Sequence, residues 1–142
     1  MEPNDTGMTT SATSSVARAD ALRKALESKD PDAYTALLAQ DILFYSPVEA
    51  EPMRGKPVVS LLLGTVFSLF QDFRYTGQAD GEGWHVLHFT ARVGDTTLEG
   101  VDLVRFDAVG LVSEFKVLLR PLAALEHLHR EIGARLGPPP AA

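Results

Sequence analysis

Two hydrophobic periods divide the chain, a helical one near both ends and in the middle, and an alternating one over most of the second half. Val16, Ala19, Leu22, Ala25 and Leu26 recur at helical spacing with Arg and Lys between them, which predicts an amphipathic helix from Val16 to Ser28. Asp30 before Pro31 has the form of an N-cap and a first helical residue, opening a short helix through Leu38. Ile42 to Pro47 reads as a strand. Pro52, Gly55 and Pro57 mark a loop that ends where Pro57 begins a third helix. Ser60, Gly64 and Ser68 form a small-residue stripe on that helix, read as a packing feature.

Four further strands are predicted, Phe73 to Gln78, Trp84 to Val93, Thr96 to Phe106 and Leu111 to Leu119. The turn signals Ala79-Asp80-Gly81, Gly94-Asp95 and Asp107 to Gly110 separate them. Short turns make these strands an antiparallel meander. Pro121 starts a last helix with the stripe Leu122, Leu125, Leu128, Ile132 and Leu136, ended by Gly137. Helices first and a meander afterwards predict an α+β fold with helices covering one sheet face.

Alternation along the strands assigns faces. In the last strand Leu111, Phe115, Val117 and Leu119 share the inner face with Ser113, and Glu114, Lys116 and Arg120 lie outside. If the turn at Asp107 to Gly110 pairs Phe106 with Leu111, Asp102 stands opposite Phe115, with Leu98, Val104 and Phe106 on its side. The Gly94-Asp95 turn then places His85, Leu87, Phe89 and Ala91 inside, with Leu87 opposite Asp102 and His85 diagonal to it. Trp84, Val86, His88, Val101, Leu103 and Leu118 fall on the outer face. A face that apolar predicts a homodimer.

Composition narrows the chemistry. A chain of 142 residues suits one domain, and 45% hydrophobic with 23% charged residues is ordinary for a soluble globular protein. With no cysteine there is no disulfide, thiolate metal site or cysteine nucleophile, which fits a cytoplasmic protein. A net charge of −6 without a Lys/Arg cluster argues against nucleic acid as a partner. Val58 to Phe70 is too short to cross a membrane, so no membrane partner is expected. Residues 1–15 read as a disordered leader, with Met8 as a second candidate start; 16–136 form the domain, and 137–142 a flexible tail.

Three segments resemble the nuclear transport factor 2-like superfamily, in the branch of ketosteroid isomerases and SnoaL-like polyketide cyclases. They are Ala25 to Asp32, similar to the family's helix junction; Ser46-Pro47-Val48 through Glu51-Pro52 and Gly55, similar to its loop; and Val101-Asp102 with Arg105-Phe106, similar to its strand. The resemblance implies a cone-shaped curved antiparallel sheet wrapped around helices, followed here by a C-terminal helix. It further implies a pocket, commonly in a dimer, for cofactor-free isomerases, cyclases, dehydratases or epoxide hydrolases, as well as non-catalytic members. No cofactor and no metal is expected, and the ligand is a mostly apolar small molecule. The isomerases' base position matches Ser46 and their first-helix tyrosine matches Leu22; only Asp102 carries over. Ketosteroid isomerase activity is therefore not expected.

Asp102 is the first catalytic candidate, because a carboxyl among apolar side chains has its pKa raised and can donate a proton. His85 is the second, as its acid–base partner. Ser46, Tyr45, Leu22, Leu87, Phe89, Val104, Phe115 and Val117 are expected to line the pocket, with Glu49 and Glu51 at its mouth. Tyr34 reads as a packing residue. His127 and Glu131 lie four apart on one helix but read as a solvated face rather than a metal site.

Overall fold

Ten elements follow one another in the computed structural model, which describes residues 3–137. They are α1 (Pro3–Ser28), α2 (Pro31–Thr35), β1 (Leu38–Tyr45), β2 (Met53–Arg54), α3 (Lys56–Leu69), β3 (Gln71–Gly81), β4 (Trp84–Val93), β5 (Thr96–Phe106), β6 (Val112–Arg120) and α4 (Leu122–Leu136). The first helix thus takes in most of the stretch that composition assigns to a leader, and the tail beyond Gly137 lies outside the described residues. Asp30 caps α2 as expected, its carboxylate accepting from the Asp32 N–H at 3.0 Å. No helix among the described residues is long and apolar enough to cross a membrane.

The strands form one open sheet in the order β2-β1-β6-β5-β4-β3. The last four make the expected antiparallel meander, whereas β1 lies parallel to β6 and β2 is a short hairpin partner of β1. The helices cover one face. Leu22 and Leu26 from α1, Tyr34 from α2, Val59, Leu62, Leu63 and Phe67 from α3, and Ala124 and Leu128 from α4 pack into the same core as the inner strand residues. On α4 the buried stripe is rotated from the expected one. Ala124 and Leu128 face inward while Leu122 and Leu136 are exposed, because the small Ala124 allows close approach to the sheet.

The register between β5 and β6 corrects one expectation. Asp102 stands opposite Val117, and Val104 takes the place opposite Phe115. Two one-residue slips account for this. Asp107 uses Leu111 to close the turn, its N–H donating to the Leu111 carbonyl at 2.8 Å and its carboxylate accepting from the Leu111 N–H at 3.0 Å, so Phe106 pairs with Val112 instead. A bulge then skips Ser113 before Arg105 pairs with Glu114. Two slips preserve the facing of β5, so Asp102 still points inward, and Val112 joins Phe115 in the core.

Candidate functional site

Strand β4 alternates strictly between buried and half-buried positions, which puts His85, Leu87, Phe89 and Ala91 on the inner face. Leu87 faces Asp102 and His85 faces Val104 in the β4–β5 ladder, as the turn between them requires. Asp102 is 5% exposed and His85 4%, the two buried polar residues of the core. Leu22, Leu87 and Val104 are fully enclosed around them, with Phe89 and Phe115 nearly so and Val117 half-buried.

Asp102 has a partner that sequence reading missed. The hydroxyl of Tyr75, on β3, donates to its Oδ2 at 2.6 Å. Tyr75 is itself buried, opposite Phe89 in the ladder and edge-on to Phe73 at 5.0 Å. Its backbone is held from α1: the Tyr75 N–H donates to Glu27 Oε2 at 3.1 Å, and its carbonyl accepts from the Arg23 guanidinium at 3.3 Å. Arg23 and Glu27 form an i,i+4 pair at 3.7 Å, so one helix face grips both polar groups of the residue. The phenol is therefore aimed by a fixed backbone.

Burial pushes the Asp102 carboxyl up to about 7, against the smaller lowering effect of the Tyr75 hydrogen bond. Burial and the neighbouring Asp102 push the Tyr75 phenol well above its ordinary value, so it stays a donor. Among the described residues Tyr75 is the only hydrogen-bond partner of the Asp102 side chain, which leaves Oδ1 free. His85 does not reach Asp102. Its ring packs edge-on against Phe106 at 5.4 Å, and its Nε2 shares a hydrogen bond with Ser15 Oγ, on α1, at 2.7 Å.

The loop residues lie elsewhere. Phe44, not Tyr45, turns inward and packs on Phe115 at 5.4 Å. Tyr45 shares the outer face with Lys116, whose ammonium sits 4.8 Å from its ring, because alternation along β1 sends neighbours to opposite faces. The hydroxyl of Ser46 is engaged in its own turn, accepting from the N–H groups of Val48 and Glu49 at 3.3 and 3.0 Å. Glu49 and Glu51 are exposed. His127 packs against the Gly94 turn and Glu131 pairs with Arg135 at 3.4 Å; no group of three metal-ligating side chains occurs among the described residues.

Two concavities lie away from Asp102 among the described residues: one of about 660 Å³ between α2 and α3, and one of about 510 Å³ beside Asp72 and Arg92; neither is lined by Asp102 or His85. The inner face around Asp102 carries apolar side chains, Leu22 and Phe89 among them. What it offers chemically is a buried carboxyl that keeps its proton near neutrality, steadied by a phenol.

No family model and no curated protein matches the chain. Solved structures do. A steroid delta-isomerase from Pseudomonas aeruginosa is 37% identical, with a TM-score of 0.80 over 87% of this chain and 91% of that one. A protein with a cystatin-like fold from Silicibacter pomeroyi is 29% identical, with a TM-score of 0.79 over 83% and 84%. A putative SnoaL-like polyketide cyclase from Shewanella denitrificans, at 15% identity and a TM-score of 0.64 over 82% and 96%, shares the fold.

Proposed function

We propose that this chain, which belongs to the nuclear transport factor 2-like superfamily in its ketosteroid isomerase and SnoaL-like branch, is a cofactor-free enzyme acting by general acid catalysis on a mostly apolar small molecule. The observation that carries this reading is the buried Tyr75–Asp102 pair. With Oδ2 held by the phenol, the proton of the neutral carboxyl is carried on Oδ1, toward a carbonyl or hydroxyl oxygen of the ligand. Isomerisation, cyclisation and dehydration all build negative charge on such an oxygen or require its protonation, and a donor fixed in an apolar enclosure stabilises that step. His85, on the same inner face, is turned to Ser15 and Phe106 rather than to Asp102. The protein acts in the cytoplasm, without nucleic acid or a membrane.

The relative from Pseudomonas aeruginosa is a steroid delta-isomerase, but this chain lacks the branch's base, since Ser46 occupies its position and spends its hydroxyl on a turn. The wild type is therefore expected to leave a Δ5-3-ketosteroid unchanged. The Tyr75 hydroxyl is spent on Asp102 and does not replace the donor lost at Leu22, so the double change Ser46→Asp with Leu22→Tyr is what is expected to introduce isomerisation. The missing base also favours a second reading, in which the protein binds its ligand without turning it over.

A panel of enones and β-hydroxy ketones, scored for binding and turnover on the wild type and Asp102→Asn, separates the two. Catalysis predicts a turnover about 10² to 10³ times lower in Asp102→Asn with binding largely kept. Binding by both proteins with turnover by neither supports the non-catalytic reading.

A homodimer through the outer sheet face belongs to the same proposal. Val86, Val101 and Leu103 are half-buried there and Leu118 is 49% exposed, beside Trp84 with the Arg105 guanidinium 4.0 Å above its ring. Light scattering is expected to give a dimer for the wild type and a monomer for Leu118→Lys. A monomeric wild type at micromolar concentration would remove this part of the proposal.

A further inference from the structure

Three side chains on the outer face of the sheet stand in the order hydroxyl, imidazole, carboxylate. Thr76 Oγ1 lies 2.5 Å from His88 Nδ1, and His88 Nε2 lies 2.9 Å from Glu99 Oε2. The carboxylate sets the direction of the protons. Hydrogen bonds from His88 first and Arg120 next favour the charged form of Glu99, which can then only accept. Nε2 therefore carries the imidazole proton, Nδ1 is bare, and the Thr76 hydroxyl donates to it. Arg120 holds the other oxygen of Glu99 at 2.9 Å. A hydroxyl bonded to a base that a carboxylate orients is the arrangement that activates a nucleophile.

Polar ladders also decorate sheet surfaces without doing chemistry, and two features set this one apart. Tyr75 pairs with Phe89 and Gly77 with His88, so Thr76 is the extra residue of a bulge, exposed on the edge strand β3. Beside it lies the concavity of about 510 Å³, whose lining includes Arg74, Thr90 and Thr97. Arg74 stands opposite Thr90, and Thr90 opposite Glu99, so the concavity adjoins the carboxylate end as well. Two residues of strand put Arg74 about 7 Å from Thr76. The acids nearby, Asp72 and Glu99, are paired with Arg92 and Arg120, which leaves Arg74 without an ion pair among the described residues. A guanidinium and a hydroxyl next to an activated nucleophile are donors suited to a phosphate group.

We propose that Thr76 is an acyl acceptor, taking the acyl group of a small acyl phosphate whose phosphate end rests on Arg74 and Thr90. Thr76 Oγ1 attacks the carbonyl carbon while its proton passes to His88 Nδ1. The bond from that carbon to the bridging phosphate oxygen then breaks, and the proton moves from His88 to the departing phosphate. The products are an ester on Thr76 and inorganic phosphate. Glu99 is a positioning residue, acting through His88. The site shares no residue with the Asp102 chemistry and stands or falls apart from it.

The test incubates the full chain with acetyl phosphate or p-nitrophenyl acetate and follows acetylation of Thr76 by peptide mass spectrometry. Wild type and Thr76→Ser are expected to be acetylated at this position by both donors. His88→Gln should slow the transfer by about 10² or more, the usual contribution of a positioned base. Arg74→Gln should slow transfer from acetyl phosphate about tenfold and leave p-nitrophenyl acetate, which has no anionic end, unaffected. Glu99→Gln should slow both donors. The ¹⁵N shifts of His88 should show Nε2 protonated and Nδ1 bare in wild type, and lose that preference in Glu99→Gln. Asp102→Asn should change none of this. Acetyl groups confined to lysines, an unchanged rate at Thr76 in His88→Gln, equal effects of Arg74→Gln on the two donors, or a wild-type His88 protonated on Nδ1 would each overturn the assignment.

Discussion

Glu99 and Asp102 lie three residues apart on β5 and face opposite sides of the sheet. Glu99 is outside, where His88 Nε2 and the Arg120 guanidinium reach its two oxygens at 2.9 Å each, and Thr76 Oγ1 meets the other nitrogen of His88 at 2.5 Å. Those hydrogen bonds, from His88 first and Arg120 next, hold its carboxyl below the usual range. Asp102 is inside, with one phenol and no cation, and burial drives its carboxyl up to about 7. The same chemical group is thus a fixed charge on one face and a neutral acid on the other. Solvent and neighbours, rather than residue type, decide which carboxylate can work as an acid.

The comparison fixes opposite signs for pH and stability. Between an ordinary value of 3.8 and about 7, native Asp102 binds a proton that the unfolded chain has released. Its contribution is then fully present below pH 3.8 and lost as pH rises through 7, by about 4 kcal/mol at about 1.4 kcal/mol per unit. Asp102→Asn never charges, so it should exceed the wild type in stability at pH 8 by most of that amount and match it near pH 4. Urea melts at both values check this, and a variant equally destabilised at both would break the contrast.

Tyr75→Phe should have a smaller effect. Loss of a hydrogen bond to a buried acid costs about 1 to 3 kcal/mol, and because that bond lowers the Asp102 pKa, the carboxyl should move further upward. An unchanged midpoint would mean that the phenol does not act on Asp102. The smallest effect belongs to the outer face. His88→Ala should shift the melting temperature less than Tyr75→Phe does, and the shift should fade in high salt, as exposed pairs do. What stability Glu99 confers is present at neutral pH and lost as pH falls through its lowered pKa, the reverse of Asp102.

Facing was legible in the sequence because period-two alternation and turn positions suffice for it. They place His85, Leu87, Phe89 and Asp102 inside before any coordinate is known. The pairing of Asp102 with Val117 was not legible, since it depends on Asp107 closing the turn on Leu111 and on a bulge at Ser113, two local choices that hydrophobic pattern does not encode. Tyr75 was missed for a related reason. Its strand was recognised, but β3 carries a bulge between Tyr75 and Gly77, and the grip of Arg23 and Glu27 on its backbone links residues about fifty positions apart. The signal available was the pair Phe73 and Tyr75, two aromatics at strand spacing beside a strand already known to be half inside. Tyr45 is expected at the pocket with Ser46, and alternation along β1 sends it to the outer face beside Lys116.

The central claim is that Asp102 keeps its proton to near neutral pH inside the fold. The most direct measurement follows the side-chain carboxyl ¹³C shift of Asp102 by nuclear magnetic resonance from pH 3 to 9, assigned by its disappearance in Asp102→Asn. The account expects a midpoint of about 7, rising further in Tyr75→Phe. A midpoint near the ordinary aspartate value of about 3.9 would show a solvated or ion-paired carboxylate, and would contradict both the burial and the acid role assigned to it.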